Sequence, residues 1–156
     1  MTQQQPTEQQ PEGRDRTAAV YENTVERVTS RYAARMFDYA HVGAGTDHLD
    51  LAAGAGVVAL EAGRRGANVL AADFSPLMVE RLRERAVSEG LTNINVQVMD
   101  CQALDLPDAS RDVVTCNFGA MFFPRAQAGF NEMCRVLRPG GTAIVTTWTA
   151  PKTRAV

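Results

Sequence analysis

Between residues 48 and 148, short apolar runs alternate with helical stripes, and this alternation leaves few folds open. Val69–Ala72 is a continuous apolar run, the signature of a strand buried on both faces. A helix start follows it at once. Ser75 sits where an N-cap belongs, Pro76 takes the first helical position, Met78, Leu82 and Ala86 mark one face, and Gly90 closes the segment. Upstream, His48–Ala53 is a short apolar run broken by Gly54 and Gly56, and Val57–Arg65 reads as a helix stopped by Gly66. Downstream, Ile94, Val96 and Val98 alternate with Asn95, Gln97 and Met99, and Asp112–Phe118 reads as a fourth strand. Ala126, Phe130, Met133 and Leu137 form a helical stripe that Pro139-Gly140-Gly141 breaks, and Thr142–Trp148 is a fifth strand. Strands alternating with helices predict an α/β fold, a doubly wound parallel sheet with right-handed crossovers.

The 156 residues suit one domain. Residues 1–16, rich in Gln, Pro and Glu, read as a disordered tail. From about Thr17 to Gly45 the pattern is helical, with Val25, Val28, Tyr32 and Met36 as its apolar stripe. Residues 46–156 form the main domain. No apolar run is long enough for a membrane span and no secretory leader is expected. Cys101, Cys116 and Cys134 lack a C-x-x-C pair, so neither a disulfide framework nor a metal site is expected, and a reducing cytoplasm is the default. A net charge of −2 argues against nucleic-acid binding.

Ligands of such sheets bind beyond the carboxyl ends of the strands. Asp50, Asp73 and Asp100 lie in or at the end of successive strands, and Ala52-Ala53-Gly54-Ala55-Gly56 forms a turn of small residues beside them. Each residue also has a structural explanation, since strand-end acids cap helices and small residues allow tight packing. Two ligand classes compete. Gly54-Ala55-Gly56-Val57-Val58-Ala59 satisfies G-x-G-x-x-A, and Asp73 lies 19 positions beyond Gly54, as a dinucleotide fold would require. Acids around the turn instead suit a cationic ligand such as S-adenosylmethionine, with its sulfonium and ammonium.

Leu49-Asp50-Leu51-Ala52-Ala53-Gly54-Ala55-Gly56 resembles the first motif of class I S-adenosylmethionine-dependent methyltransferases. Val69–Met78 is similar to their second-strand motif and Met99-Asp100-Cys101 to the third. Asp105–Asp108 with Asp112-Val113-Val114 resembles the segment entering strand four, and Glu132–Gly141 the segment before strand five. The resemblance is strongest to the small-molecule branch found in quinone biosynthesis. It implies a Rossmann-like sheet of order 3-2-1-4-5-7-6, of which this sequence holds 3-2-1-4-5. It further implies that Gly54 and Gly56 approach the methionine part of the cofactor, with Asp50 supporting the turn or the ammonium. Asp73 would accept from the ribose hydroxyls, Phe74 and Met78 would pack near adenine, and Asp100 with the Cys101 N–H would bind the adenine edge. Asn117 would offer its carbonyl to the ammonium. The amino-terminal helix would lie over the site as a lid, making Tyr21, Tyr32, Tyr39 and His41 candidate acceptor contacts, although Tyr32 also fits the helix core. No catalytic residue follows from the sequence.

Two departures stand out. Ala52 replaces the first glycine of the motif, where one methyl is expected to cost little because the position precedes the tightest part of the turn. Strands six and seven are missing, so residues 142–148 are expected to form an exposed edge open to pairing. The expected activity is methyl transfer to a small-molecule acceptor. A catalytically inactive cofactor-binding or interaction module is the alternative, with a nicotinamide-dependent oxidoreductase third.

Overall fold

Five parallel strands in the order β3-β2-β1-β4-β5 form the sheet. The computed structural model describes residues 28–148. Helix α1 covers residues 28–40. It is followed by β1 (Asp47–Leu51), α2 (Val57–Arg64), β2 (Asn68–Asp73), α3 (Pro76–Ser88), β3 (Ile94–Val98), β4 (Arg111–Asn117), a 3₁₀ turn (Ala120–Phe122), α4 (Ala126–Val136) and β5 (Leu137–Thr146). The strand order reverses between β1 and β4, so the turns after these two strands flank the sheet's switch point.

Period-two alternation divides the core into two layers. Val69, Ala71, Val96 and Val113 face α1, α2 and α3, meeting Phe37, Val58, Leu60, Val79 and Leu82. Leu49, Leu51, Leu70, Ala72 and Val114 face α4, meeting Met133 and Val136. The helix start foreseen at Ser75 is present: its hydroxyl accepts from the Met78 N–H at 3.3 Å, with Pro76 behind it. Arg135 ties α4 to the loop before β4, bonding Glu132 at 2.7 Å, Asp108 at 2.6 Å and the carbonyls of Leu104 and Leu106. Arg138 bridges Asp47 and Asp112 at the amino ends of the strands.

Three local expectations are corrected. The buried face of α1 is Thr29, Ala33, Met36 and Phe37, one step round from the predicted stripe; Val28 and Tyr32 are exposed, and Val25 lies outside the described residues. Phe37 decides this rotation, burying its ring completely against the edge of His48 at 5.4 Å. In α4 the buried residues are Gly129, Met133 and Val136, while Phe130 is half-exposed. Pro139-Gly140-Gly141 does not precede the fifth strand but lies within it, where Gly140 takes φ +83° and the register with β4 shifts between Arg111 and Val113. The foreseen tail, residues 1–16, and residues 17–27 of the helical segment lie outside the described residues. No described helix is long and apolar enough to cross a membrane.

Candidate functional site

The turn after β1 is held by backbone geometry and one carboxylate. Ala53 N–H donates to the Ala72 carbonyl and Gly56 N–H to the Ala53 carbonyl, each at 3.0 Å. Gly54 N–H donates to Asp73 Oδ2 at 2.8 Å, while Asp73 Oδ1 accepts from Ser75 N–H at 2.9 Å. Asp73 therefore joins the two turns following β1 and β2, and its side chain is buried.

The two glycines differ in what they require. Gly54 adopts φ +56° and has open space where a Cβ would sit, so the chain exposes bare backbone there. Gly56 adopts φ +96°, and a Cβ would fall 2.0 Å from Leu82 Cδ1, so α3 has packed directly onto it. Ala52 also lies in the left-handed region, at φ +53°. This corrects the expectation of a nearly free methyl, because an L-residue in that region is strained by about 1–2 kcal/mol. Gly119 leaves the room the Ala52 methyl occupies: a Cβ at 119 would lie 2.4 Å from Ala52 Cβ. Ala52→Gly is accordingly expected to raise stability by about 0.5–1 kcal/mol after its own entropic penalty; denaturant unfolding with no gain or a loss would contradict the strain.

Beside this turn a cavity of about 260 Å³ opens at the carboxyl edge, lined by Ala52, Phe74, Asp100, Cys101, Gln102, Gly119, Phe122, Phe123 and Pro124. Asp100 is exposed, and its Oδ1 accepts from the Gln102 N–H at 2.8 Å and from Gln102 Nε2 at 3.1 Å. Burial pushes the Cys101 thiol well above its ordinary range and Cys116 up to about 12, so both remain neutral thiols. Met78, grouped with Phe74 in the sequence, is fully buried against Ala55 and is not among the cavity-lining residues. Asn117 Oδ1 accepts from the Thr146 hydroxyl at 2.7 Å and its Nδ2 donates to the Thr29 carbonyl at 3.4 Å. Its side-chain carbonyl thus joins β4 to β5.

Gln102, Gly119, Phe122, Phe123 and Pro124 are cavity residues that sequence reasoning missed. The segment Gly119–Pro124 has no periodicity to mark it; the nearest signal is Gly129, whose missing Cβ leaves room for the Phe123 ring at 2.6 Å. Thr115 and His48 were missed because both lie inside strands. Asp50, by contrast, is wholly buried beneath the turn, and its Oδ1 accepts from the Thr115 hydroxyl at 2.9 Å. Among the described candidate acceptor contacts, Tyr32 reaches the carboxyl end of the sheet, with its ring edge-on to Phe118 at 5.2 Å. Trp148 stacks on the same Phe118 at 4.3 Å. Tyr39 is highly exposed, and His41 lines a groove with Thr46 and Arg138 at the opposite, amino end of the strands. Tyr21 lies outside the described residues.

Residues 49–145 match the family profile described as a methyltransferase domain. An uncharacterised protein of Mycobacterium tuberculosis is 42% identical over 110 residues, covering 70% of this chain and 40% of that relative. A ubiquinone/menaquinone biosynthesis C-methyltransferase of Geotalea daltonii is 34% identical over 132 residues, covering 82% of this chain and 55% of its own length. The chain thus spans about half the length of the curated relatives it matches. Among solved structures, the YcgJ protein of Bacillus subtilis superposes with a TM-score of 0.73 at 29% identity, covering 78% of this chain and 52% of that one. A putative S-adenosylmethionine-dependent methyltransferase of Methanococcus maripaludis gives 0.78 at 18% identity, covering 94% and 67%, and shows the shared fold alone. With its sheet order, its Gly54 turn and this match over most of the described residues, the chain belongs to the class I S-adenosylmethionine-dependent methyltransferase family.

Proposed function

We propose that the chain binds S-adenosylmethionine at the carboxyl edge of the sheet and takes part in methyl transfer to a small-molecule acceptor. The observation that carries this reading is a cavity that meets the glycine turn at Ala52, walled by Phe74, Phe122 and Phe123 and rimmed by Asp100. Aromatic walls suit adenine, an exposed carboxylate suits its exocyclic amine, and the Cys101 N–H suits a ring nitrogen. The ribose hydroxyls donate to the Asp73 carboxylate, and the methionine end lies along Gly54 and Gly56 above Asp50. The backbone geometry disfavours a diphosphate, because the N–H groups of Ala53, Gly54 and Gly56 are already spent within the protein.

The bound cofactor supplies a methyl group already activated on its sulfonium. The protein's part is proximity, orientation and exclusion of water. On the acceptor side, Tyr32, Phe118 and Trp148 form a ring cluster one residue from cavity-lining Gly119. That cluster supports an acceptor with an apolar, ring-bearing body, in keeping with the similarity to the ubiquinone/menaquinone biosynthesis C-methyltransferase of Geotalea daltonii.

Calorimetric titration with S-adenosylmethionine and S-adenosylhomocysteine, with NADH for comparison, tests the cofactor. Micromolar binding of both adenosyl ligands and none of NADH is expected. NADH binding alone, or no binding by the folded chain, would reject the proposal.

A further inference from the structure

The two faces of the sheet are not covered alike. On the α4 face, Asn95 and Gln97 of β3 stand in register with Leu70 and Ala72 of β2. Residues 99–110, which connect β3 to β4 and lay Leu104 and Leu106 on this face, contain no helix. A parallel sheet needs cover on both faces, and here a loop covers only part of one. A trough of about 380 Å³ is left along the amino half of β2 and β3, with Leu70 and Leu106 in its lining. Asn68, at its outer end, lies about 16 Å along β2 from Asp73. The trough shares no lining residue with the cavity beside the glycine turn.

The charged residue of this trough is Arg111, the first residue of β4, and no acid is among the described lining residues. Arg64, Arg65, Arg83, Arg135 and Arg138 each hold a carboxylate. Arg111 holds none among the described residues, and its Nε is buried there without a hydrogen-bond partner. The neighbouring acids are committed elsewhere, since Asp47 and Asp112 both bind Arg138.

The amides around Arg111 have defined orientations. Asn93 Nδ2 donates to the carbonyls of Gly63 at 2.9 Å and Ala67 at 2.8 Å, and Asn68 Nδ2 donates to Asp47 Oδ1 at 3.3 Å. Both side chains therefore keep their amide oxygens as acceptors. Thr92, Asn95 and Gln97 line the same trough and can donate or accept as a ligand requires.

We infer that this trough is a second ligand site, for a small molecule carrying an oxyanion (a carboxylate or a phosphate) on a hydroxylated body. The guanidinium offers the oxyanion two parallel donors, and an Nε withdrawn from water without a partner gains from meeting one. The amide oxygens of Asn68 and Asn93 accept from hydroxyls, and Leu70 and Leu106 pack against carbon. The volume lies within the range of small-molecule sites. Nothing in this assignment depends on the cofactor reading above.

The test is titration of the isotope-labelled full chain with inorganic phosphate and, separately, with L-malate at constant ionic strength. The Arg111 Nε–H and the side-chain amide signals of Asn95 and Gln97 are followed by nuclear magnetic resonance. Saturable shifts centred on the trough are expected, with a dissociation constant of about 1–10 mM for ligands so small. The anion that saturates at lower concentration identifies the oxyanion as phosphate or carboxylate. Arg111→Lys keeps the charge but loses the planar fork, and should weaken binding about tenfold. Asn95→Asp alters an exposed residue of edge strand β3 and places a competing carboxylate in the trough. It should weaken anion binding by at least about tenfold and leave S-adenosylhomocysteine affinity unchanged. Shifts that fail to saturate with both anions, shifts centred elsewhere, or full anion affinity in Asn95→Asp would overturn the inference. Saturable phosphate or malate shifts in a chain that does not bind S-adenosylhomocysteine would support it and remove the cofactor reading alone.

Discussion

Asp73→Ala is expected to weaken S-adenosylhomocysteine binding by about 1.5–3 kcal/mol, roughly 10- to 150-fold, the range for hydrogen bonds to a charged group. It should also destabilise the free protein. The carboxylate accepts from Gly54 N–H and Ser75 N–H inside the molecule, and its removal leaves two donors without a partner. At about 1–3 kcal/mol for an unsatisfied buried group, relieved where water enters, a total loss of about 2–4 kcal/mol follows. That corresponds to a melting temperature lower by about 5–15 °C. Asp73→Asn separates the two roles. It keeps one oxygen for a backbone donor but turns an amide N–H₂ towards the other, so part of the stability should return while binding stays weak. Unchanged ligand affinity in Asp73→Ala would show that the ribose is held elsewhere.

Gly56→Ala carries the largest expected effect on folding. At φ +96° the new residue meets a backbone strain of about 1–2 kcal/mol. Its methyl also lands on Leu82 Cδ1, and Leu82 is fully buried and can turn aside only into filled core. Overpacking of this kind costs about 1–3 kcal/mol, so the sum is about 2–5 kcal/mol. Gly90→Ala is the control, since Gly90 has φ +67° but open space at its Cβ position. Denaturant unfolding of the two variants should differ by the packing contribution alone. Equal losses would show that Leu82 moves freely.

Much of the fold was legible because the strands and α3 carry strong local signals. Val69–Ala72 could only be a strand covered on both faces, and Ser75-Pro76 marked a helix start whose cap the structure contains. The stripes of α1 and α4 were misjudged by about one residue. Helical periodicity fixes the spacing of a buried face, but its centre is set by whichever large side chain finds a partner, here Phe37 on His48. The strand start at Leu137 was hidden for a related reason. Pro139 and Gly140 break an isolated segment, yet an edge strand accommodates them by shifting register against β4.

The site divides in the same way. Gly54, Gly56, Asp73 and Asp100 were readable in the chain because their spacing follows from the geometry of a strand, a tight turn and a helix, which is local. What each atom does was decided by tertiary contact. The sequence pointed to Asp73 as an open acceptor, but its position beside the Gly54 N–H makes it a tie between turns. Met78 went to the core because Ala55 lies against it, whereas Phe74 lines the cavity. The His48–Thr115–Asp50 chain joins residues more than sixty positions apart, and only the pairing of β1 with β4 brings them within hydrogen-bond reach. Local spacing therefore determined where a ligand turn must form, and the packing of distant strands decided which of its polar atoms remain free to act.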